Sequence, residues 1–365
     1  MIRPAEDADI PALVRIENRS FRTDRLSPRR FRYMIARANG ALLVDVDRRG
    51  VVRGYVLVLF SRGTPLARLY SIAVDPTHRH HGIGRTLLEA AEQAARKSHA
   101  AYMRLEVRAD DKRTQSFYYR AGYRRFGFHA AYYQDRADAL RMQKAIAPGP
   151  APTAMPIPYR PQTLDFTCGP AALMMAMRAL EPTADMSTEQ EVRLWRESTT
   201  VFMTSGLGGC SAYGLALAAA KRGFGVELYV TDRGVPFEDS VRDPKKKDVI
   251  RLVHRDFLSQ IKATGVPVHR RALPIATLRE KFDAGAIPVV LISAYLLTGE
   301  KQPHWVVVTG FDDTYVYLHD PYIDTANAHT ATDRMHLPVP LKSFDRMARY
   351  GQAQQRATLI LRKPA

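Results

Sequence analysis

Apolar positions recur first at helical spacing, over residues 7–20 and 27–38, and then alternate as in strands at ALLVDV (41–46), VVRGYVLVLF (51–60) and ARLYSIAV (67–74). Helical spacing returns in GIGRTLLEAAEQAARKS (82–98), a strand in AYMRLEVR (101–108), and a helix in DKRTQSFYYRAG (111–122), which closes on a glycine. The pattern then breaks. APGPAPTAMPIPYRP (147–161) has six prolines in fifteen residues, a composition that excludes helix and central strand and favours extended, semi-rigid backbone. Beyond it, CGPAALMMAMRAL (168–180) is apolar enough to be a buried helix, and HWVVVTGF and YVYLHDP predict two strands that reverse at Asp312 and Asp313. At 365 residues the chain exceeds the size at which one core keeps growing. The predicted organisation is a domain over 1–146, a proline-rich linker over 147–161 and a second domain over 162–365, with no internal repeat.

Composition narrows the class. With 46% hydrophobic and 25% charged residues and no apolar run of membrane-spanning length, a globular protein without a membrane partner is expected. The N-terminal MIRPAEDADIPALVRIENRSF carries acids where a signal peptide has a basic stretch, so the expected location is the cytoplasm. Cys168 and Cys210 are the only cysteines, which argues against a disulfide framework; 42 residues apart and without paired spacing, they do not form a metal set. The formal charge of +17 is uneven: residues 1–146 hold 28 Lys and Arg against 15 Asp and Glu, and residues 147–365 hold 26 against 22. A basic first half favours an acidic partner, such as the ribosome or a phosphate-rich cofactor, with nucleic acid the less favoured choice and scattered solubilising arginines the bland alternative. The Lys245–Lys247 run is expected to be a solvated loop.

In SIAVDPTHRHHGIGRTLLEA a strand ends, a turn carries Arg79, Gly82 and Gly84, and a helix starts at once. Glycines let the backbone approach an anion, and the unpaired amides of the first helical turn point at it, so this junction can cradle a diphosphate. A dinucleotide site is the weaker alternative, because the turn follows an antiparallel meander rather than an early parallel strand. Arg79-His80-His81-Gly82-Ile83-Gly84, with LEVR at 105–108 and FYYRAGY at 117–123, resembles the GNAT N-acetyltransferases, and most closely their ribosomal-protein-alanine N-acetyltransferase branch. The resemblance implies a GNAT fold, a mixed and mainly antiparallel sheet with flanking helices, and acetyl-coenzyme A as cofactor. It further implies that Ile72 and Val74 offer backbone groups to the pantetheine arm and acetyl carbonyl, and that Arg79, Gly82, Gly84 and Arg85 surround the pyrophosphate. Glu106 takes the place of the base that deprotonates the acceptor amine, and Tyr118 that of the acid that protonates the departing thiolate. Asp111 departs from the family's pattern, standing where relatives often have a cofactor-contacting asparagine.

Cys168 is predicted at the first turn of its helix, where the dipole favours thiolate and lowers the thiol pKa below ~8.5. A nucleophilic cysteine needs a base and a group that orients the base, and the hairpin over 301–322 can bring His304 and Asp320 side by side. Gln162 can donate its side-chain amide to an oxyanion together with the backbone N–H of Cys168. Cys210 has no such partners and is read as structural. Gln162, Cys168, His304 and Asp320, with CGPAAL, the glycine-rich stretch leading into a helix (208–228), and HWVVVTGF, resemble the papain-like cysteine peptidases, closest to the bacteriocin-processing enzymes that cut after double glycine. The fold class is thus α/β and α+β, a GNAT fold followed by a papain-like peptidase fold. The expected substrate is a peptide or protein, cleaved by a thiol mechanism and acetylated on an amine. The alternative is an acetyltransferase whose second domain only binds peptide.

Overall fold

The computed structural model describes the chain apart from residues 147–152, 155, 200, 201, 204, 205, 233, 237, 239–242, 326–329, 352 and 365. It contains two compact units, Met1–Gly149 and Pro150–Ala365. Seven of the fifteen residues of the predicted linker, 147–152 and 155, fall outside the described residues; its remainder lies along the second unit, where Ile157 is buried and Tyr159 Oη donates to Asp320 O.

The first unit runs β1 (Ile2–Pro4), α1 (Ile10–Ser20), α2 (Pro28–Ala36), β2 (Gly40–Val46), β3 (Val52–Phe60), β4 (Leu66–Val74), α3 (Ile83–Lys97), β5 (Tyr102–Arg108), α4 (Lys112–Arg120), β6 (Arg124–His129) and β7 (Ala139–Ala145). The sheet order is β1-β2-β3-β4-β5-β7-β6, antiparallel except between β4 and β5. α3 presents Leu87, Leu88, Ala91 and Ala95 to a core that includes Val56, Val58, Leu69, Met103, Leu105 and Met142. β4 and β5 pair only from Leu66–Tyr102 to Arg68–Arg104, yet both strands run on, to Val74 and Arg108. A wedge therefore opens in the sheet beyond Arg68. At its start the β3–β4 register shifts between Leu57 and Val58, leaving Tyr70 as the extra residue of a bulge, a device that re-aims the strand after it.

The second unit holds β8 (Thr153–Ala154), α5 (Cys168–Leu180), α6 (Thr188–Ser198), β9 (Phe202–Met203), β10 (Gly206–Leu207), α7 (Ala212–Ala220), β11 (Phe224–Val230), α8 (Pro244–Thr264), β12 (Val268–His269), α9 (Ile275–Asp283), β13 (Ile287–Ser293), α10 (Tyr295–Thr298), β14 (Pro303–Phe311), β15 (Tyr315–His319), β16 (Leu337–Pro340), α11 (Leu341–Met347) and β17 (Ala357–Pro364). Its main sheet is ordered β12-β11-β17-β13-β14-β15-β16, with β8 added against the end of β14. α5 packs on β13, β14 and β17 and is buried at every position from Cys168 to Met177, which explains an apolar surface all round. The expectation of a solvated loop at Lys245–Lys247 is corrected. These lysines lie in the first turns of α8, where Asp243 accepts from Lys245 N at 2.9 Å and Pro244 stands at the first helical position.

Candidate functional site

In the first unit the candidate groups line the opening between β4 and β5 and the turn that follows β4. Gly82 caps α3 in a left-handed conformation, φ 77°, which glycine adopts without strain, and a Cβ there would meet nothing within 4 Å. A Cβ on Gly84 would meet only Val74 Cγ2 at 3.8 Å and Phe117 Cζ at 4.0 Å. The first helical bond is Thr86 N to Gly82 O, so the amides before it face outward from open backbone. Arg79 Nε donates to Val74 O at 3.2 Å, so this arginine braces the end of the strand whose backbone is read as a contact for the pantetheine arm and acetyl carbonyl. Arg85 is exposed and pairs with Glu89 at 2.9 Å, a surface pair weak enough to yield to an anion. Ile72 pairs with Val56 of β3 and lies in the stretch of β4 that has parted from β5.

Glu106 is held by a neighbour that its local pattern does not announce. Arg68, on the last paired rung of β4, donates to Glu106 Oε2 from Nε at 3.0 Å and from Nη2 at 2.9 Å, and Nη2 also reaches Tyr132 Oη at 2.6 Å. Tyr118 is buried between Phe117 and Tyr123, with ring centroids 5.1 and 5.6 Å away. Burial, and then the charge of Asp111, push its phenol above the ordinary range, so it keeps its proton. Asp111 itself caps α4, accepting from Thr114 N at 3.0 Å and Thr114 Oγ1 at 2.6 Å. Arg113, also on α4, reaches His80 Nε2 at 3.0 Å and brings a further cation to the turn.

In the second unit Cys168 begins α5, and His304 lies on β14 beside Asp320, which follows β15. His304 Nε2 and Asp320 Oδ1 are 2.6 Å apart, which leaves Nδ1 as the ring nitrogen for the thiol. Asp320 is fully buried and also accepts from Arg334 Nη1 at 3.1 Å and Tyr322 N at 2.9 Å. Burial alone would raise the Asp320 carboxyl; the charges of His304 and Arg334 outweigh it and hold the group ionised below its usual value. Burial would likewise lower His304, but Asp320 and then Cys168 raise it to about 10. The Cys168 thiol, pushed up by burial, is brought below its ordinary value by the charge and hydrogen bond of His304 and by the backbone amides of Trp305 and Gly169. Both shifts run in the direction that favours thiolate beside imidazolium over thiol beside imidazole. Gly169 permits this packing, since a Cβ there would come within 3.1 Å of Trp305 Cδ1.

Gln162 donates from Nε2 to Leu164 O at 2.9 Å, and its backbone N–H donates to Pro321 O at 2.9 Å, beside Asp320. Cys210 is buried, and burial followed by the charge of Cys168 raises its thiol well above the ordinary value, so it remains protonated. Sequence reasoning missed Arg68, Arg334 and Glu191; all three are charged groups that the fold buries against partners distant in the chain. Among the described residues no cluster of His, Cys, Asp and Glu is arranged to hold a metal ion, and no helix is long and apolar enough to cross a membrane.

Residues 157–362 match the Peptidase_C39 like family, and residues 10–123 match the Acetyltransferase (GNAT) family. An uncharacterized N-acetyltransferase of Methanocaldococcus jannaschii is 31% identical over 153 residues, which is 41% of this chain and 96% of the relative. Among solved structures, the chain is similar to the ribosomal-protein-alanine N-acetyltransferase of Escherichia coli (27% identity, TM-score 0.37, 41% of this chain and 96% of that one). It is also similar to Ard1 of Thermoplasma volcanium (25% identity, TM-score 0.37, 40% and 98%). GNAT acetyltransferases use acetyl-coenzyme A, and the open backbone at Gly82 and Gly84 fits its diphosphate. Over more than half its length the chain belongs to the Peptidase_C39 like family, and ahead of that match it carries a GNAT N-acetyltransferase domain.

Proposed function

We propose that the protein is bifunctional: it cleaves a peptide through the Cys168 thiolate and transfers an acetyl group to a peptide or protein α-amine. The observation that carries the first part is the buried chain of contacts from Asp320 through His304 to Cys168 at the start of α5. In this reading the thiolate attacks a peptide carbonyl and forms an S–C bond, while the Gln162 amide and the Cys168 N–H receive the oxyanion. His304 gives its proton to the leaving amine, then takes one from water, which cleaves the thioester and frees the acid. Asp320 orients the ring and stabilises its charge. Arg334 and Tyr322 N hold Asp320 in turn.

In the first unit, acetyl-coenzyme A supplies an acetyl group activated as a thioester. Arg79, Gly82, Gly84 and Arg85 hold its diphosphate, and the backbone of Ile72 and Val74 its arm. Glu106 takes a proton from the acceptor ammonium, and Tyr118 Oη holds the proton that a departing thiolate needs. The net +13 of residues 1–146 suits an acidic partner such as the ribosome. The new α-amine left by cleavage is the proposed acceptor, and a shared chain raises its effective concentration.

Mass spectrometry of a peptide library incubated with acetyl-coenzyme A tests both activities. The wild type is expected to yield cleaved peptides carrying one acetyl group, Glu106→Gln cleaved but unacetylated peptides, and Cys168→Ala no cleavage. Undiminished processing by Cys168→Ala would make the second unit a peptide-binding module, and cleavage without acetylation in the wild type would sink the coupling.

A further inference from the structure

Glu191 is a buried charge that the thiol mechanism above does not use. It projects from α6 and its side chain is fully enclosed. Its carboxylate accepts four hydrogen bonds, every one from the short segment that leads into α5. Oε1 receives Thr163 N at 2.7 Å and Thr167 Oγ1 at 2.5 Å; Oε2 receives Thr163 Oγ1 at 2.7 Å and Arg160 Nη2 at 2.9 Å. These donors bracket the two groups that matter: Gln162 lies between Arg160 and Thr163, and Thr167 immediately precedes Cys168. From the other side the same segment is tied to the strand end that carries Asp320, by Gln162 N to Pro321 O at 2.9 Å and Tyr159 Oη to Asp320 O at 2.9 Å.

The arrangement has a clear physical meaning. Residues 160–167 are neither helix nor strand, so no backbone ladder sets their shape. A buried carboxylate is costly unless its lone pairs are filled, and Glu191 fills them only if Thr163 and Thr167 stand at fixed separation. The penalty for moving either threonine is therefore a penalty for moving Gln162 relative to Cys168. Oxyanion donors lose their effect when displaced by a fraction of an ångström to an ångström.

We propose that Glu191 is the positioning residue of the thiol site: without touching substrate, it sets the separation of the Gln162 amide from the Cys168 N–H, so that both face one carbonyl oxygen. This rests on the peptidase reading. Two probes keep the failures apart: iodoacetamide, which reports the thiolate alone, and the peptide that the full-length wild type cleaves fastest in the library. In Glu191→Gln, kcat for that peptide is expected to fall ~10- to 100-fold, with KM and the rate of Cys168 alkylation within about twofold of wild type because the thiolate–imidazolium pair is untouched. In a Gln162→Ala background the same substitution is expected to add little, since the group it positions is gone. Unchanged kcat, alkylation falling in step with kcat, or full multiplication of the two losses would each overturn the proposal. If Glu191→Gln does not fold, Thr167→Val and Thr167→Ser decide: the serine variant restores the hydroxyl and kcat, whereas equal loss in both refutes positioning. A wild type that cleaves no peptide refutes the peptidase reading itself, and this inference with it.

Discussion

At Cys168 two opposing effects meet. Burial disfavours the thiolate, while the charge of His304 and the amides of Trp305 and Gly169 favour it more strongly, so the group ionises below its ordinary value; Cys210, buried without such partners, goes the other way. Iodoacetamide at pH 6 to 7 is therefore expected to label Cys168 and leave Cys210 intact. Asp320→Asn removes the charge that keeps His304 protonated, and is expected to slow that labelling at least about tenfold and move its pH profile upward. Identical profiles in the two proteins would rule out the ion pair. The three groups were legible in the chain because each falls at the end of an element whose register is set locally. Arg334, Arg68 and Glu191 were not. Their partners lie 14, 38 and 24 residues away, with no periodicity to connect them.

Among the elements, the start of α3 carries the sharpest consequence. Gly84 is helical and has room for one carbon, its nearest neighbours being 3.8 and 4.0 Å from a built Cβ. Gly84→Ala should then stabilise the fold by up to about 1 kcal/mol through helix propensity, yet weaken acetyl-coenzyme A binding by roughly tenfold, since the added methyl stands where the cofactor's phosphates approach the backbone. Thermal unfolding and calorimetric titration read the two effects separately; affinity equal to wild type would take the cradle out of the cofactor site. α8 shows how an element can be misread. Lys245–Lys247 suggested a loop on charge alone, although Asp243 and Pro244 already form a helix start and Ile250, His254, Phe257 and Ile261 are spaced to bury one face.

For the molecule as a whole, the thiol pair links stability to pH in a distinctive way. In the unfolded chain imidazole titrates near ~6.5 and thiol near ~8.5, whereas folded His304 is raised to about 10, by Asp320 and Cys168 against burial, and Cys168 is lowered. Between roughly 6.5 and 8.5 the unfolded pair holds one proton, on Cys168, while the folded pair keeps His304 protonated and gives up the thiol proton at lower pH than the unfolded chain does, so the two shifts oppose each other and their contributions offset. As pH rises further the unfolded thiol loses its proton while His304 keeps its own, and stability is lost toward about 10. As pH falls below about 6.5 the unfolded chain binds a second proton, and stability is lost through the lowered thiol value. Cys168→Ala removes the thiol's contribution, so its melting temperature relative to wild type should fall as pH rises from the lowered folded thiol value to about 8.5 and level off above it. Parallel curves for the two proteins would show that the pair is neutral.

By itself the sequence determined what is local. Helix caps, strand alternation, the glycine turn before α3 and the thiol at the start of α5 each depend on residues within a few positions of one another, where backbone geometry leaves few choices. Only the tertiary structure decided the parting of β4 from β5, the hold of Arg68 on Glu106, and the enclosure of Glu191 and Asp320 among their donors. Those depend on sheet order and on which buried charges meet across it. The energy that selects such meetings, desolvation repaid by several hydrogen bonds at once, exists only after the chain has closed around them.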